Sequence, residues 1–139
     1  IKGDNIEKDA MYLIKANAPI NTEAHAYVQT QLSSGKIKLL IDEREASTKL
    51  MSTKVGQNMT PEQRAEYLMP FVQTSILKDQ MLNLIESNEG VNIILKQNNN
   101  SIKKDKFSAF EYGLYYAKLD EERKRKRKSH SIADMMFFS

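Results

Sequence analysis

Three short apolar runs constrain the fold more than any other feature: "MYLIKA" (residues 11–16), "KIKLLI" (residues 36–41) and "VNIILKQ" (residues 91–97). Each has the length of a buried or half-buried strand. In the second run Ile37, Leu39 and Ile41 share one face. In the third, Val91, Ile93 and Leu95 alternate with Asn92, Ile94 and Lys96. The segments between them carry helical signals. Pro19 ends the first run by forcing an extended or turned backbone. Residues 20–35 then place Ala24, Tyr27, Val28 and Leu32 at helical spacing, with Asn21 or Thr22 as cap and Gly35 as the left-handed stop. Asp42 can cap a short helix over residues 43–51, and residues 52–59 read as a loop around Gly56. Thr60 followed by Pro61 starts a helix that Pro70 kinks or breaks after Met69. A second helical piece carries Leu77, Met81, Leu84 and Ile85 on one stripe and ends at "NEG".

The last helix is expected to begin near Asp105, with Phe107, Phe110, Leu114 and Ala117 down one face. Gly113 inside it costs about 1 kcal/mol against alanine, which points to close packing or to adaptability. Strands alternating with helices predict an α/β layer, a small sheet with helices packed on it. Three short strands make a thin sheet, and the chain lacks an initiator methionine. The expectation is a fragment or processed product whose N-terminal strands lie upstream of Ile1.

The length of 139 residues fits one domain with a core. No run of 18 apolar residues is present, which argues against a membrane-spanning helix, and the N-terminus lacks the apolar centre of a secretory signal. Without cysteine, the chain has no disulfide, thiolate metal site or cysteine nucleophile. The net charge of +3 comes from 21 basic and 18 acidic residues. Without the six basic residues Arg123, Lys124, Arg125, Lys126, Arg127 and Lys128, 15 basic residues stand against 18 acidic, giving −3. The basicity is therefore local. Such a run is either a solvated end or a phosphate-contacting surface.

No phosphate-binding glycine loop, dinucleotide fingerprint or zinc-protease motif occurs. His25 reads as a structural or exposed residue, and Ser33 and Ser34 as turn chemistry. Asp42, Glu43 and Glu45 read as helix N-terminal carboxylates. Asp105 leaves two readings open. It can cap the amides of Phe107 or Ser108. It can also project from the start of a helix into a shared metal cluster, kept ionised by Lys103, Lys104 and Lys106, which could themselves bind phosphate oxygens. Tyr112, Tyr115 and Tyr116 are core residues or stacking platforms, with at least one facing outward.

Four blocks, "AMYLIKANAPINTEAHAYVQTQL", "SGKIKLLIDEREA", "RAEYLMPFVQTSILKDQMLNL" and "KKDKFSAFEYGLYY", in this order and spacing, resemble the C-terminal nuclease domain of the large terminase subunit of tailed bacteriophages. The resemblance covers roughly residues 10–128. It implies a ribonuclease H-like fold, of which residues 1–128 would be the distal part and residues 129–139 a short C-terminal tail. It implies a magnesium- or manganese-dependent endonuclease that cuts concatemeric viral DNA during packaging in the host cytoplasm. Asp105 is then one of the metal-binding acids. Lys103, Lys104 and Lys106 would contact DNA beside the cut, and residues 123–128 would contact DNA or other packaging components at the periphery. Double-stranded viral DNA, the portal protein and the small terminase subunit are the implied partners. The family's other acids, on a first strand and on a later strand followed by glycine-rich sequence, have no counterpart here, so the isolated chain is expected to be inactive. Two alternatives remain: a non-catalytic α/β module that binds DNA or a partner through its basic end, and a different ribonuclease H-like enzyme.

Overall fold

The computed structural model describes residues 13–137, without the side chains of Ala133 and Phe137. The described elements are α1 (Ala18–Ser33), α2 (Glu43–Met51), α3 (Lys54–Asn58), α4 (Pro61–Leu82), β1 (Leu84–Glu89), β2 (Asn92–Gln97) and α5 (Asp105–Phe137). The architecture is mixed α/β and mostly helical, with one two-stranded antiparallel sheet. No helix among the described residues is long and apolar enough to cross a membrane.

Helix α1 starts earlier than its pattern suggests. Asn17 caps it, its side chain accepting from the amide of Ile20 at 2.9 Å, and Pro19 lies inside the first turn. A proline there is harmless because the first amides of a helix have no intrahelical partner. The stop at Gly35 is as expected, with φ +67. Around it the amide of Lys36 bonds Gln31 and that of Gly35 bonds Leu32.

Two expected strands are not strands. Residues 13–16 lie outside any strand, and Met11 and Tyr12 lie outside the described residues. Residues 36–41 are irregular, although Ile37 and Leu39 turn inward while Lys36, Lys38 and Leu40 stay exposed. Alternating burial is thus realised without a ladder, since a strand requires a neighbouring strand to bond. The segment is instead tied to α4 by Lys78 Nζ, which donates to the Leu40 carbonyl at 2.7 Å.

Helix α4 runs through Pro70 without ending there. Its start is a capping box between Thr60 and Gln63, and it packs on α2 at one side and α5 at the other. Those contacts hold the helix past a residue that weakens it by about 3 kcal/mol on propensity alone. A short helix, α3, replaces the expected loop. Thr53 caps it by accepting from Gly56 N at 3.0 Å, and a Cβ on buried Gly56 would come 2.1 Å from the Leu50 carbonyl oxygen. That close approach allows α3 to fold back on α2.

Leu84 and Ile85 belong to β1, not to the preceding helix. Asn83 is the reason. Its side chain donates to the Asn99 carbonyl and accepts from the Asn99 amide, each at 2.9 Å, while its own carbonyl accepts from Asn98 at 2.8 Å. The helix ends where these bonds begin. Strands β1 and β2 pair from Leu84 opposite Gln97 to Glu89 opposite Asn92. The two-residue loop between them opens with Gly90 at φ +61, a conformation side chains disfavour. "NEG" is therefore the end of β1 and the start of a hairpin turn, not a helix end.

The buried apolar side chains come from α1 (Ala24, Val28), α2 (Ala46, Leu50) and α5 (Phe107, Tyr115). Helix α5 is about 50 Å long at 1.5 Å per residue and crosses residue 128 without a break. Its inward face is not the expected one. Phe107, Glu111 and Tyr115 are buried, Phe110 and Leu114 are partly covered, and Ala117 is exposed. From Glu121 onward every described side chain is exposed.

Candidate functional site

Asp105 is the first residue of α5, with its side chain in solvent. One carboxylate oxygen accepts from Gln80 Nε2 at 3.0 Å, and Gln80 Oε1 accepts from the backbone amide of Phe107, also at 3.0 Å. Gln80 is only 4% exposed. A buried amide of α4 thus bonds Asp105 and, at the same time, one of the orphan amides of the first turn of α5. Gln80, rather than Asp105, meets the Phe107 amide. Asp105 is consequently spared that capping role and is fixed in orientation. The Gln80 bond holds its carboxyl below the usual carboxylate range, with the amides of Asp105 and Lys106 and the Lys106 charge acting in the same direction, while desolvation opposes them.

Lys103 and Lys104, its neighbours in sequence, are exposed, and Lys106 is half-buried; of the three, Lys106 is the one whose charge acts on the carboxylate. Among the described residues no three histidine, aspartate or glutamate side chains gather as a metal site. Two hard cations need several carboxylate oxygens, and Asp105 alone does not fit that requirement. The acids after residue 41 behave as helix-terminal groups. Asp42 accepts from Arg44 N at 2.9 Å, and Glu45 pairs with Lys49 at 2.6 Å.

A second polar constellation joins α1 to α5. His25 Nδ1 donates to Oε1 of Glu111, whose side chain is 3% exposed. Both line a cavity of about 310 Å³ with Asn21, Lys104, Ser108 and Tyr112. Tyr112 Oη donates to Asn21 Oδ1 at 2.8 Å. One turn further, Glu23 accepts from Tyr115 Oη at 3.1 Å and from Lys118 Nζ at 2.5 Å. The Lys118 ammonium also sits over the rings of Tyr27 and Tyr115. His25 is therefore structural, as its sequence context suggests, through its hydrogen bond to the buried carboxylate of Glu111. Glu111 and Gln80 were missed. The only sequence signal for Glu111 is its position between Phe107 and Tyr115 at a spacing of four, where a core residue belongs.

Residues 123–128 lie on the exposed part of α5, far along the helix from Asp105. The structure therefore separates the two groups of basic residues: Lys103, Lys104 and Lys106 at the start of α5, and Arg123 to Lys128 on its exposed distal part. No family model, curated protein or solved structure matches the chain.

Proposed function

We propose that this chain is the distal part of a metal-dependent DNA endonuclease domain of the large-terminase type, to which it contributes the carboxylate of Asp105. The observation that carries the reading is the Gln80 bond: an ionised, solvent-facing carboxylate at a helix start, oriented by a buried side chain and favoured in its charged form by Lys106. Such a group can help to hold a divalent cation beside a phosphodiester once other acids join it. Those acids, and the strands that would complete a ribonuclease H-like sheet, come from outside the described residues. Magnesium or manganese, duplex viral DNA, the portal protein and small terminase subunit as partners, and the host cytoplasm as setting all belong to this proposal.

The chain alone is expected not to cut plasmid DNA with magnesium or manganese. The product of the whole reading frame is expected to cut, and Asp105→Asn to abolish the cutting. Cleavage that survives Asp105→Asn would remove the residue from the site. Robust cutting by the isolated chain, lost in Asp105→Ala, would overturn the fragment reading. A second reading, a non-catalytic module that binds DNA or a packaging partner, is favoured by the bare basic end of α5, and it predicts no cutting in either form.

A further inference from the structure

The basic run is sorted by the helix that carries it. Lys124 is paired to Asp120 at 2.7 Å and Arg125 to Glu121 at 3.7 Å, one turn back along α5 in each case. The Asp120 bond also raises the affinity of Lys124 for its proton. No carboxylate among the described residues pairs with Arg123, Lys126 or Arg127, and all three are exposed. Helical spacing then does the rest. Positions 123, 126 and 127 fall on one face, His130 continues it and Asp134 ends it, whereas 124 and 125 point elsewhere. Lys128 is unpaired too but lies on the flank with Lys124.

The same face, followed back along α5 by 18 residues, leads through Tyr116 and Tyr112 to Asp105. Eighteen residues are about five turns, or about 27 Å. That distance corresponds to about eight base pairs at 3.4 Å each.

We propose that Arg123, Lys126 and Arg127 form a phosphate-binding stripe for duplex DNA lying along α5, in line with Asp105 and about eight base pairs from it. The choice of DNA rests on the nuclease reading. The choice of residues rests on the pairing pattern and the helix geometry alone. Charge complementarity points to a polyanion, because Lys118, Lys124 and Arg125 are paired with carboxylates while these three cations form an uncompensated line on one face.

The test is fluorescence anisotropy of the full 139-residue chain with a labelled 20-base-pair duplex across a salt series, with circular dichroism to verify that the helix persists. The double variant Arg123→Gln/Arg127→Gln is expected to weaken binding about tenfold and to lower the slope of log affinity against log salt by about 2. Lys124→Gln/Arg125→Gln, which removes the same charge, is expected to change affinity less than about threefold. Equal losses in the two variants would overturn the stripe, as would the absence of duplex binding. Binding to poly-glutamate as tight as to the duplex would overturn its assignment to nucleic acid. The nuclease reading is judged separately by Asp105→Asn cleavage in the whole gene product. A stripe that fails leaves that result standing, and the reverse also holds.

Discussion

From Asp105 to Lys118, helix α5 is fastened to α1 and α4 by Phe107, Glu111, Tyr115 and Lys118, and from Glu121 to Met136 every described side chain meets solvent. The two halves share one backbone geometry but not one cause. The first half is helical because tertiary contacts select it, despite Gly113 in its middle. The second is helical on local grounds: good helix formers, and pairs four residues apart at 118–122, 120–124 and 121–125. Such pairs stabilise by about 0.2–0.5 kcal/mol each. Order that depends on packing can hold a carboxylate in place. Order that depends on local propensity presents a surface and opens readily.

The comparison breaks first at the proximal core. Phe107→Ala is expected to cost about 3 kcal/mol or more in urea unfolding, since it removes a buried aromatic side chain of α5. A loss under 1 kcal/mol would mean that this half is no better packed than the other. Glu111→Ala should cost about 2 kcal/mol because it leaves the His25 ring without its hydrogen-bond partner beside an emptied site. In the double variant His25→Leu/Glu111→Leu most of that loss should return. If the double is as unstable as the single, the pair itself is not what matters there.

These proximal contacts also explain what could be read from the sequence. The stop at Gly35, the start at Thr60 and Pro61, strand β2 and the beginning of α5 were legible because neighbouring residues decide them. The end of α4 was not, because Asn83 takes its partners from Asn98 and Asn99, which lie beyond the hairpin. Residues 36–41 alternate as a strand would, but alternation reports burial and not the presence of a partner strand. At the site, Asp105 was legible from its place after a strand and turn. Gln80, which orients it, was hidden on another helix, and Glu111 was hidden because a buried acid is explained only by His25, 86 residues away.

Smaller effects sharpen the contrast. Gly113 has nothing within 4 Å of an added Cβ, so close packing does not account for it. Gly113→Ala is expected to stabilise the chain by about 0.5–1 kcal/mol. A destabilisation would show that the first half of α5 must bend there. In the second half, Ile132→Ala or Met135→Ala should change stability by less than about 0.5 kcal/mol. Backbone amides beyond Glu121 should exchange with solvent far faster than those of Phe107 to Tyr115. Slow exchange at the distal end in dilute solution would point to a contact that the bare helix does not have.

The smallest expected effect lies at the junction of the halves, where Glu23 meets Tyr115 and Lys118, and its sign can be worked out. The Lys118 and Tyr115 bonds hold the Glu23 carboxyl below its usual range. Its stabilisation is therefore present above the ordinary carboxylate pKa and is lost as pH falls through the lower folded value. Asp105, lowered by Gln80, acts in the same direction. On the alkaline side, burial and then the Glu23 bond raise Tyr115, and the Glu23 bond raises Lys118. Their contributions are full below about pH 10 and fall as pH rises through the raised values. Because Glu23 is half exposed, solvent screening keeps the whole effect modest. Urea midpoints at pH 3, 7 and 10.5 should thus peak in the middle, and Glu23→Gln should shallow both slopes, leaving on the alkaline side the part that burial gives to Tyr115. If both slopes are unchanged in that variant, Glu23 does not fasten α1 to α5, and the packed half of the helix ends on the burial of Tyr115 alone.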